Sequence, residues 1–102
     1  MEQAKVYFTD LRAKSGDNLL QKLERLIRTA GIDTIDFEKK IVAIKLHFGE
    51  PGNLSFLRPN YAKVVADVVK SLGGLPFLTD CNTLYVGRRK NALEHMDAAY
   101  EN

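Results

Sequence analysis

The amino-acid sequence predicts one α/β domain, built from three consecutive strand–helix units that share a parallel sheet. Short β-rich apolar runs alternate with stretches in which apolar residues recur at helical spacing, and segments rich in glycine, proline or polar residues separate them. The chain has 102 residues, of which 45% are hydrophobic. Because a chain of this size buries enough surface for one core but not for two, we expect a single domain.

The first unit is predicted near the N-terminus. Residues 5–9 form a short β-rich run, which indicates a strand. From Asn18 onward, leucine and isoleucine residues recur at helical spacing, with Asp17 or Ser15 as the N-terminal cap and Gly31 just past the end. This segment shows the clearest helical pattern in the chain.

The second unit begins with residues 41–48, which are apolar on both faces until the last positions. Such a run is typical of a parallel strand that helices cover on both sides. The exit, residues 49–55, is too rich in glycine and proline for regular structure. Pro59 suits the first turn of the helix that follows, and that helix is predicted to stop at Gly73.

The third unit is shorter, with a strand predicted at residues 76–79, a turn at 80–83 and a helix whose apolar face we expect to be buried. That face contains Ala92, Leu93, Met96, Ala99 and Tyr100. Joined by right-handed crossovers, the three units predict a three-layer, Rossmann-like half of a doubly wound fold. Because a sheet of three strands has open edges, we expect residues 1–102 to be the N-terminal fragment of a longer protein, or to be completed by a self-association partner.

Composition and charge exclude several classes of protein. The 15 basic residues are interspersed with 13 acidic ones and the net charge is +2, which indicates no nucleic-acid surface. No apolar stretch approaches the roughly 20 residues that span a bilayer, and the N-terminus lacks the apolar core of a secretory signal, so we expect a cytoplasmic protein without a membrane partner. The single cysteine, Cys81, excludes an internal disulfide and any multi-cysteine metal or iron–sulfur site built by this chain alone.

The candidate site lies at the carboxyl ends of the predicted strands, because ligands of open parallel sheets bind where strand exits and helix N-termini meet. Arginine side chains there suit a carboxylate or a phosphate, so a small anionic ligand is predicted. Lys45 and His47 also alternate to one face of an apolar strand, where a charge must be paired, solvated or used. The ligand-binding candidates are Lys45, His47, Glu50, Asn53, Ser55, Arg58, Asp80, Asn82, Arg88 and Arg89.

Other interpretations of these residues remain open. The polar side chains would fix loops by hydrogen bonds in a non-catalytic scaffold or interaction domain, and residues 88–90 would be the solvated start of a helix. His47, Glu50, Asp80 and Cys81 are residue types that bind metals, but their spacing does not demand a metal site. Cys81 and His47 lack an identifiable third group for nucleophilic catalysis, so Cys81 is interpreted as a small buried thiol and no catalytic residue is assigned.

Two familiar nucleotide-binding patterns are absent from the strand exits. The first turn offers one glycine, Gly16, where a dinucleotide-binding turn needs three. The second turn, residues 49–55, lacks the lysine and the spacing of a phosphate-binding loop. His95, inside the last predicted helix, is interpreted as structural.

Three blocks of sequence resemble the N-terminal part of the domain of unknown function 362 family. They are the KLHFGE run at 45–50 with Gly52 and Asn53, the SFLRP run at 55–59, and the TDCNTLY run at 79–85 with GRR at 87–89 and NA at 91–92. The resemblance extends from Val6 to His95, nearly the whole chain. Cys81 departs from the family pattern, in which threonine is equally expected.

The resemblance implies that the ten candidate residues occupy the motif positions of the family. It also implies a longer protein that continues into further α/β sequence and is often linked to a ferredoxin-like module with 4Fe-4S clusters. The cluster cysteines are not in this chain, so a 4Fe-4S cofactor is expected only in the rest of the full-length protein. Under this implication the chain is the α/β portion of an iron–sulfur-associated redox protein whose substrate the family does not identify.

Overall fold

The computed structural model describes all 102 residues, and the protein has mixed α/β structure. Its elements are α1 (Leu19–Thr29), a short 3-10 turn (Ile32–Thr34), β1 (Ile41–Lys45), α2 (Pro59–Ser71), β2 (Leu75–Thr79) and α3 (Ala92–Glu101). The two strands pair in parallel, with Ile41 opposite Leu75 and Lys45 opposite Thr79. The parallel pairing predicted for the second and third strands is therefore confirmed, in a sheet of two strands.

The strand predicted at residues 5–9 does not form. This segment lies outside the sheet, and its apolar side chains Val6 and Phe8 are 90% and 86% exposed. The Lys22 ammonium donates to the Asp10 carboxylate at 2.6 Å and thereby ties the segment to α1. Because α1 packs against α2 and against neither strand, the segment is held away from the sheet. The three-stranded, three-layer Rossmann-like arrangement is therefore replaced by a single β–α–β unit with two further helices.

The start of α1 is set by a side-chain cap. The side-chain Oδ1 of Asn18 accepts the Gln21 backbone N–H at 3.0 Å, and the side-chain Oε1 of Gln21 accepts the Asn18 backbone N–H at 2.8 Å. This reciprocal pair satisfies two backbone donors that the first helical turn leaves free. The cap is thus Asn18 and not Asp17 or Ser15, while Gly31 follows the helix with φ +102° as expected.

The buried core is centred on α2, which begins at Pro59 as predicted. Val68 and Val69 are each 2% exposed, and Ala62 is 5% exposed. Gly74 allows close packing directly after the helix, since a Cβ atom there would lie 2.6 Å from Cγ1 of Val69. Helix α2 contacts both strands and α1, so it holds the other elements together.

Helix α3 is oriented differently from the prediction. Ala98 is fully buried, whereas Leu93 and Tyr100 of the predicted apolar face are 77% and 86% exposed. The helix packs against no other helix or strand. Polar contacts to the loops hold it instead, for example the amide of Asn102, which donates to the Phe48 carbonyl at 3.2 Å. Polar contacts with the loops, and not the apolar spacing of its own residues, therefore determine which face of α3 points inward.

The sheet is covered on one face only. Along β1, the odd-numbered side chains are exposed and the even-numbered ones are half-buried. The expectation that helices cover both faces of this strand is thus wrong. No helix in the structure has both the length and the apolar character needed to cross a membrane.

Candidate functional site

The side chain of Arg89 lies at the centre of a polar cluster beyond the carboxyl ends of the strands. The residue is 4% exposed. Its Nε and Nη2 atoms donate to Oε1 of Glu50 at 3.0 and 2.8 Å, and Nη1 donates to Oδ2 of Asp80 at 3.1 Å. Its guanidinium carbon also lies 5.9 Å from the centroid of the Phe48 ring. Arg89 is therefore not part of a solvated helix start, because two carboxylates and an aromatic ring surround it.

The cluster joins two loops, the one between β1 and α2 and the one between β2 and α3. We call it the Arg89 cluster, and it consists of His47, Glu50, Asp80, Tyr85 and Arg89. The Tyr85 hydroxyl donates to Oε1 of Glu50 at 3.0 Å and lies 3.4 Å from Nη2 of Arg89. The loop after β1 and the loop between β2 and α3 are therefore cross-linked by side chains that bond to one another.

His47 is occupied on both ring nitrogens. The Gly49 backbone N–H donates to Nδ1 at 2.8 Å, and Nη2 of Arg89 faces Nε2 at 3.0 Å. A neutral imidazole has one acceptor nitrogen, so it accepts only one of these two donors. Both ring nitrogens therefore face a donor of the chain itself. The turn itself requires glycine, since Gly49 has φ +95° and a Cβ there would lie 2.6 Å from the Phe56 ring.

Asp80 receives three donors or cations on a side chain that is 7% exposed. Besides Arg89, the Cys81 backbone N–H donates to Oδ1 at 2.8 Å and the Lys45 ammonium lies 3.1 Å from the same oxygen. Burial acts to raise the pKa of Asp80, but the hydrogen bonds from Cys81 and Lys45 outweigh it and the pKa lies below its ordinary value. Asp80 is thus held as a carboxylate by its neighbours.

The pKa of Glu50 is lowered in the same way. The hydrogen bond from Arg89 is the largest cause, and that from Tyr85 is the next. Both carboxylates of the Arg89 cluster are therefore ionised at neutral pH. With Lys45 and Arg89, they make the cluster close to electrically neutral, which leaves little net attraction for an added anion.

A histidine of α3 extends the cluster. Nδ1 of His95 lies 3.0 Å from Oδ1 of Asn82, and Nε2 lies 3.4 Å from Oδ2 of Asp80 without forming a hydrogen bond. The ring centroids of His95 and Phe48 are 5.2 Å apart. Tyr85 and His95 were not among the predicted site residues, because a tyrosine in a loop and a histidine in a helix carry no distinguishing spacing.

The remaining predicted residues do not converge on the Arg89 cluster. The half-exposed Arg88 guanidinium pairs with Glu101 at 2.8 Å. Oδ1 of Asn53 accepts the Ser55 backbone N–H at 2.8 Å, inside its own loop. Arg58 is exposed at the start of α2 and its side chain caps nothing there. Cys81, expected as a buried thiol, is a free and exposed cysteine.

Two open depressions lie at this end of the sheet. One, of about 550 Å³, is lined by His47, Asn53, Ser55, Phe56 and Leu57. The other, of about 650 Å³, combines apolar side chains of the loop after β1, of β2 and of α3 with Asp80, Asn82 and His95. The candidate residues thus border two separate depressions. The side chains of Glu50 and Arg89 line neither depression and bond to each other.

Comparison with known proteins concerns the same part of the chain. No curated protein and no solved structure matches it. A family model described as Domain of unknown function (DUF362) matches residues 42–102, which is more than half of the chain. The match includes β1 from its second residue, β2, α2, α3 and every member of the Arg89 cluster, and residues 1–41 lie outside it. The chain therefore belongs to the DUF362 family.

Proposed function

We propose that this chain is a non-catalytic α/β interaction module, whose uncovered sheet face binds another polypeptide. The observation that carries the proposal is the amount of apolar surface that the chain leaves open. A folded monomer of this mass exposes about 5,800 Å², whereas this chain exposes 7990 Å² and buries 7 of its 102 residues. Its radius of gyration, 16.3 Å, also exceeds the roughly 13 Å of a compact domain of this length.

The exposed apolar surface includes one face of the parallel sheet. Ile41, Leu75 and Phe77 are 76%, 61% and 48% exposed. Ile41 is opposite Leu75, and Phe77 is opposite Ala43, so these side chains form one continuous apolar face. Parallel strands are found almost only in sheets whose two faces are both covered. An added layer of polypeptide is therefore the natural occupant of this face.

The polar residues at the strand ends support the same proposal. A catalytic or ligand-binding cluster needs side chains with unused donors, acceptors or charge. In the Arg89 cluster, the donors of Arg89 are shared between two carboxylates, a tyrosine and a histidine. These contacts fix the loops around α3 and leave no obvious group to act on a substrate.

A lysine at Phe77 tests whether the sheet face is open in solution. We expect Phe77→Lys to change the free energy of unfolding by no more than about 0.5 kcal/mol, because the side chain already contacts water. It should also reduce the binding of an apolar fluorescent dye. The contrasting variant Val68→Lys, at a position that is 2% exposed, should unfold the chain. If chemical denaturation shows that Phe77→Lys also unfolds it, the face belongs to the chain's own core and the proposal is wrong.

The second candidate is a small-anion site beside Arg58. Arg58 has no ion pair or side-chain hydrogen bond, and it follows directly on the loop that forms the depression with Asn53 and Ser55. Such a guanidinium suits carboxylate or phosphate. Arg88, in contrast, is already paired with Glu101.

NMR titration with phosphate, sulfate and small dicarboxylates distinguishes the two candidates. For an interaction module we expect small shifts that are the same in the wild type and in Arg58→Ala/Arg88→Ala. Shifts confined to residues 47–58 and 79–91, and lost in the double variant, would establish the anion site instead.

For the full-length protein we retain the iron–sulfur association as part of the proposal. It is supported by the sequence resemblance. Cys81 alone cannot hold a four-iron cluster, so further polypeptide would have to supply the ligands.

A further inference from the structure

We infer that the outer edge of β1 is a strand-addition site for residues 5–9 of a second copy of this chain. The inference rests on the proposed function, because it names one partner of an interaction module. It concerns the edge of the sheet, which is distinct from the apolar face described above. Three observations carry it: unpaired backbone groups on β1, an unpaired β-rich segment, and the position of that segment beside α1 instead of in the sheet.

The backbone of β1 has free hydrogen-bonding groups on one side. The bonds from Leu75 N–H to the Lys40 carbonyl and from Leu46 N–H to the Thr79 carbonyl show that even-numbered residues of this strand face β2. Because the groups of a parallel strand alternate in direction, the N–H and C=O groups of Ile41, Ala43 and Lys45 point away from β2. They have no hydrogen-bond partner in the structure. An edge of this kind is a template for another strand.

The outer edge of β2 is a poorer template. There the outward groups belong to Pro76 and Leu78, since Leu75, Phe77 and Thr79 are directed toward β1. Proline has no N–H, so it cannot donate to an added strand. At the outer edge of β1, in contrast, every outward-pointing residue has both a backbone N–H donor and a C=O acceptor.

Residues 5–9 are a suitable occupant. The run Lys5-Val6-Tyr7-Phe8-Thr9 is rich in β-branched and aromatic residues, yet it forms no strand, and Val6 and Phe8 are 90% and 86% exposed. The neighbouring Asp10 is tied to Lys22 of α1, which packs on α2 and on neither strand. While that tie holds, the segment is displayed away from its own β1 edge and is accessible to the edge of another molecule.

The exchange is reciprocal, so it closes as a symmetric dimer. Each copy gives its segment and receives the other's, which is the usual self-complementary arrangement of homodimers. Each chain exposes roughly 2,200 Å² more than a folded monomer of its mass would expose. A stable interface buries about 800 Å² on each partner. The surplus surface is therefore large enough for such a dimer.

The test compares the wild type with Val6→Asp/Phe8→Asp by analytical ultracentrifugation and amide hydrogen exchange over a range of concentrations. The wild type should dimerise, and the amides of Ile41, Ala43 and Lys45 should become protected together with every second amide of residues 5–9. The double variant should raise the dimer dissociation constant at least tenfold and abolish this protection. The matched control Leu11→Asp, at a residue 83% exposed but outside the segment, should dimerise like the wild type.

Three results would overturn the inference. They are a wild type that stays monomeric up to millimolar concentration, a dimer that the double variant leaves intact, and protection of residues 6–8 in the monomer, which would show pairing within one chain. A monomeric wild type with a stable Phe77→Lys variant would refute the dimer but not the interaction module. Unfolding of Phe77→Lys would refute the module itself.

Discussion

Replacing Arg89 with alanine is expected to lower the free energy of unfolding by about 3 kcal/mol, because it removes the more deeply buried of the two cations that lie 3.1 Å from the Asp80 carboxylate. The variant also removes the hydrogen bonds that connect the loop after β1 to the loop before α3. Chemical denaturation of the purified chain measures the effect. Hydrogen exchange should show that the backbone of α3 loses protection first, since no helix or strand packs against it.

The adjacent residue provides a matched control. Arg88 has the same side chain but is half-exposed and pairs only with Glu101, so Arg88→Ala should change stability by less than about 1 kcal/mol. Arg89→Lys should lie between the two, because lysine keeps the charge but loses the planar fork that reaches two carboxylates. Equal effects of Arg88→Ala and Arg89→Ala would contradict a structural role for the Arg89 cluster.

Replacing Asp80 with asparagine should make the chain less stable at neutral pH, by about 2 kcal/mol, and should remove part of its sensitivity to acid. The pKa of Asp80 in the folded chain lies below its ordinary value of 3.8. As the pH falls past 3.8, the unfolded chain therefore binds a proton before the folded chain does, and stability is lost. Above that value the contribution of the ionised carboxylate is fully present. The difference between wild type and variant should thus be constant at neutral pH and shrink as the solution is acidified below 3.8.

Denaturation curves between pH 7 and pH 2 measure this difference. Asp97→Asn in α3, at an exposed aspartate without an ion pair, is the control and should track the wild type at every pH. The lowered pKa of Glu50, below its ordinary value of 4.5, adds a second loss in the same direction that persists in Asp80→Asn. A stability difference that grew on acidification would show that Asp80 is not held as a carboxylate.

The polar cluster was only partly predictable. The strand-exit rule selected His47, Glu50, Asp80 and Arg89, which do meet, because the carboxyl ends of parallel strands share one edge. The same rule selected Arg58 and Arg88, which do not join them. Position along the chain places a residue near the edge, but the direction of a long side chain depends on which carboxylate it reaches. Arg88, for example, pairs with Glu101 of α3 and does not reach Glu50 or Asp80.

Local patterns in the sequence determined the three helices and the two strands that pair. Apolar spacing, the glycine after α1 and the proline at the start of α2 act within a few residues, so they are visible without a structure. The β-rich run at residues 5–9 has the same local character as β1 and β2. Its composition favours an extended backbone but does not determine whether the segment pairs with another strand.

Only the tertiary structure decided which of these segments are covered. Lys22 holds the end of the N-terminal segment on α1, so the run that resembles a first strand lies outside the sheet. Asn82 contacts Nδ1 of His95 and Asp80 lies 3.4 Å from its Nε2, so α3 turns its histidine inward and leaves Leu93 and Tyr100 exposed. Both outcomes depend on contacts between residues that are 12 to 15 positions apart. Periodicity within one element cannot predict such contacts, because each depends on where another element has packed.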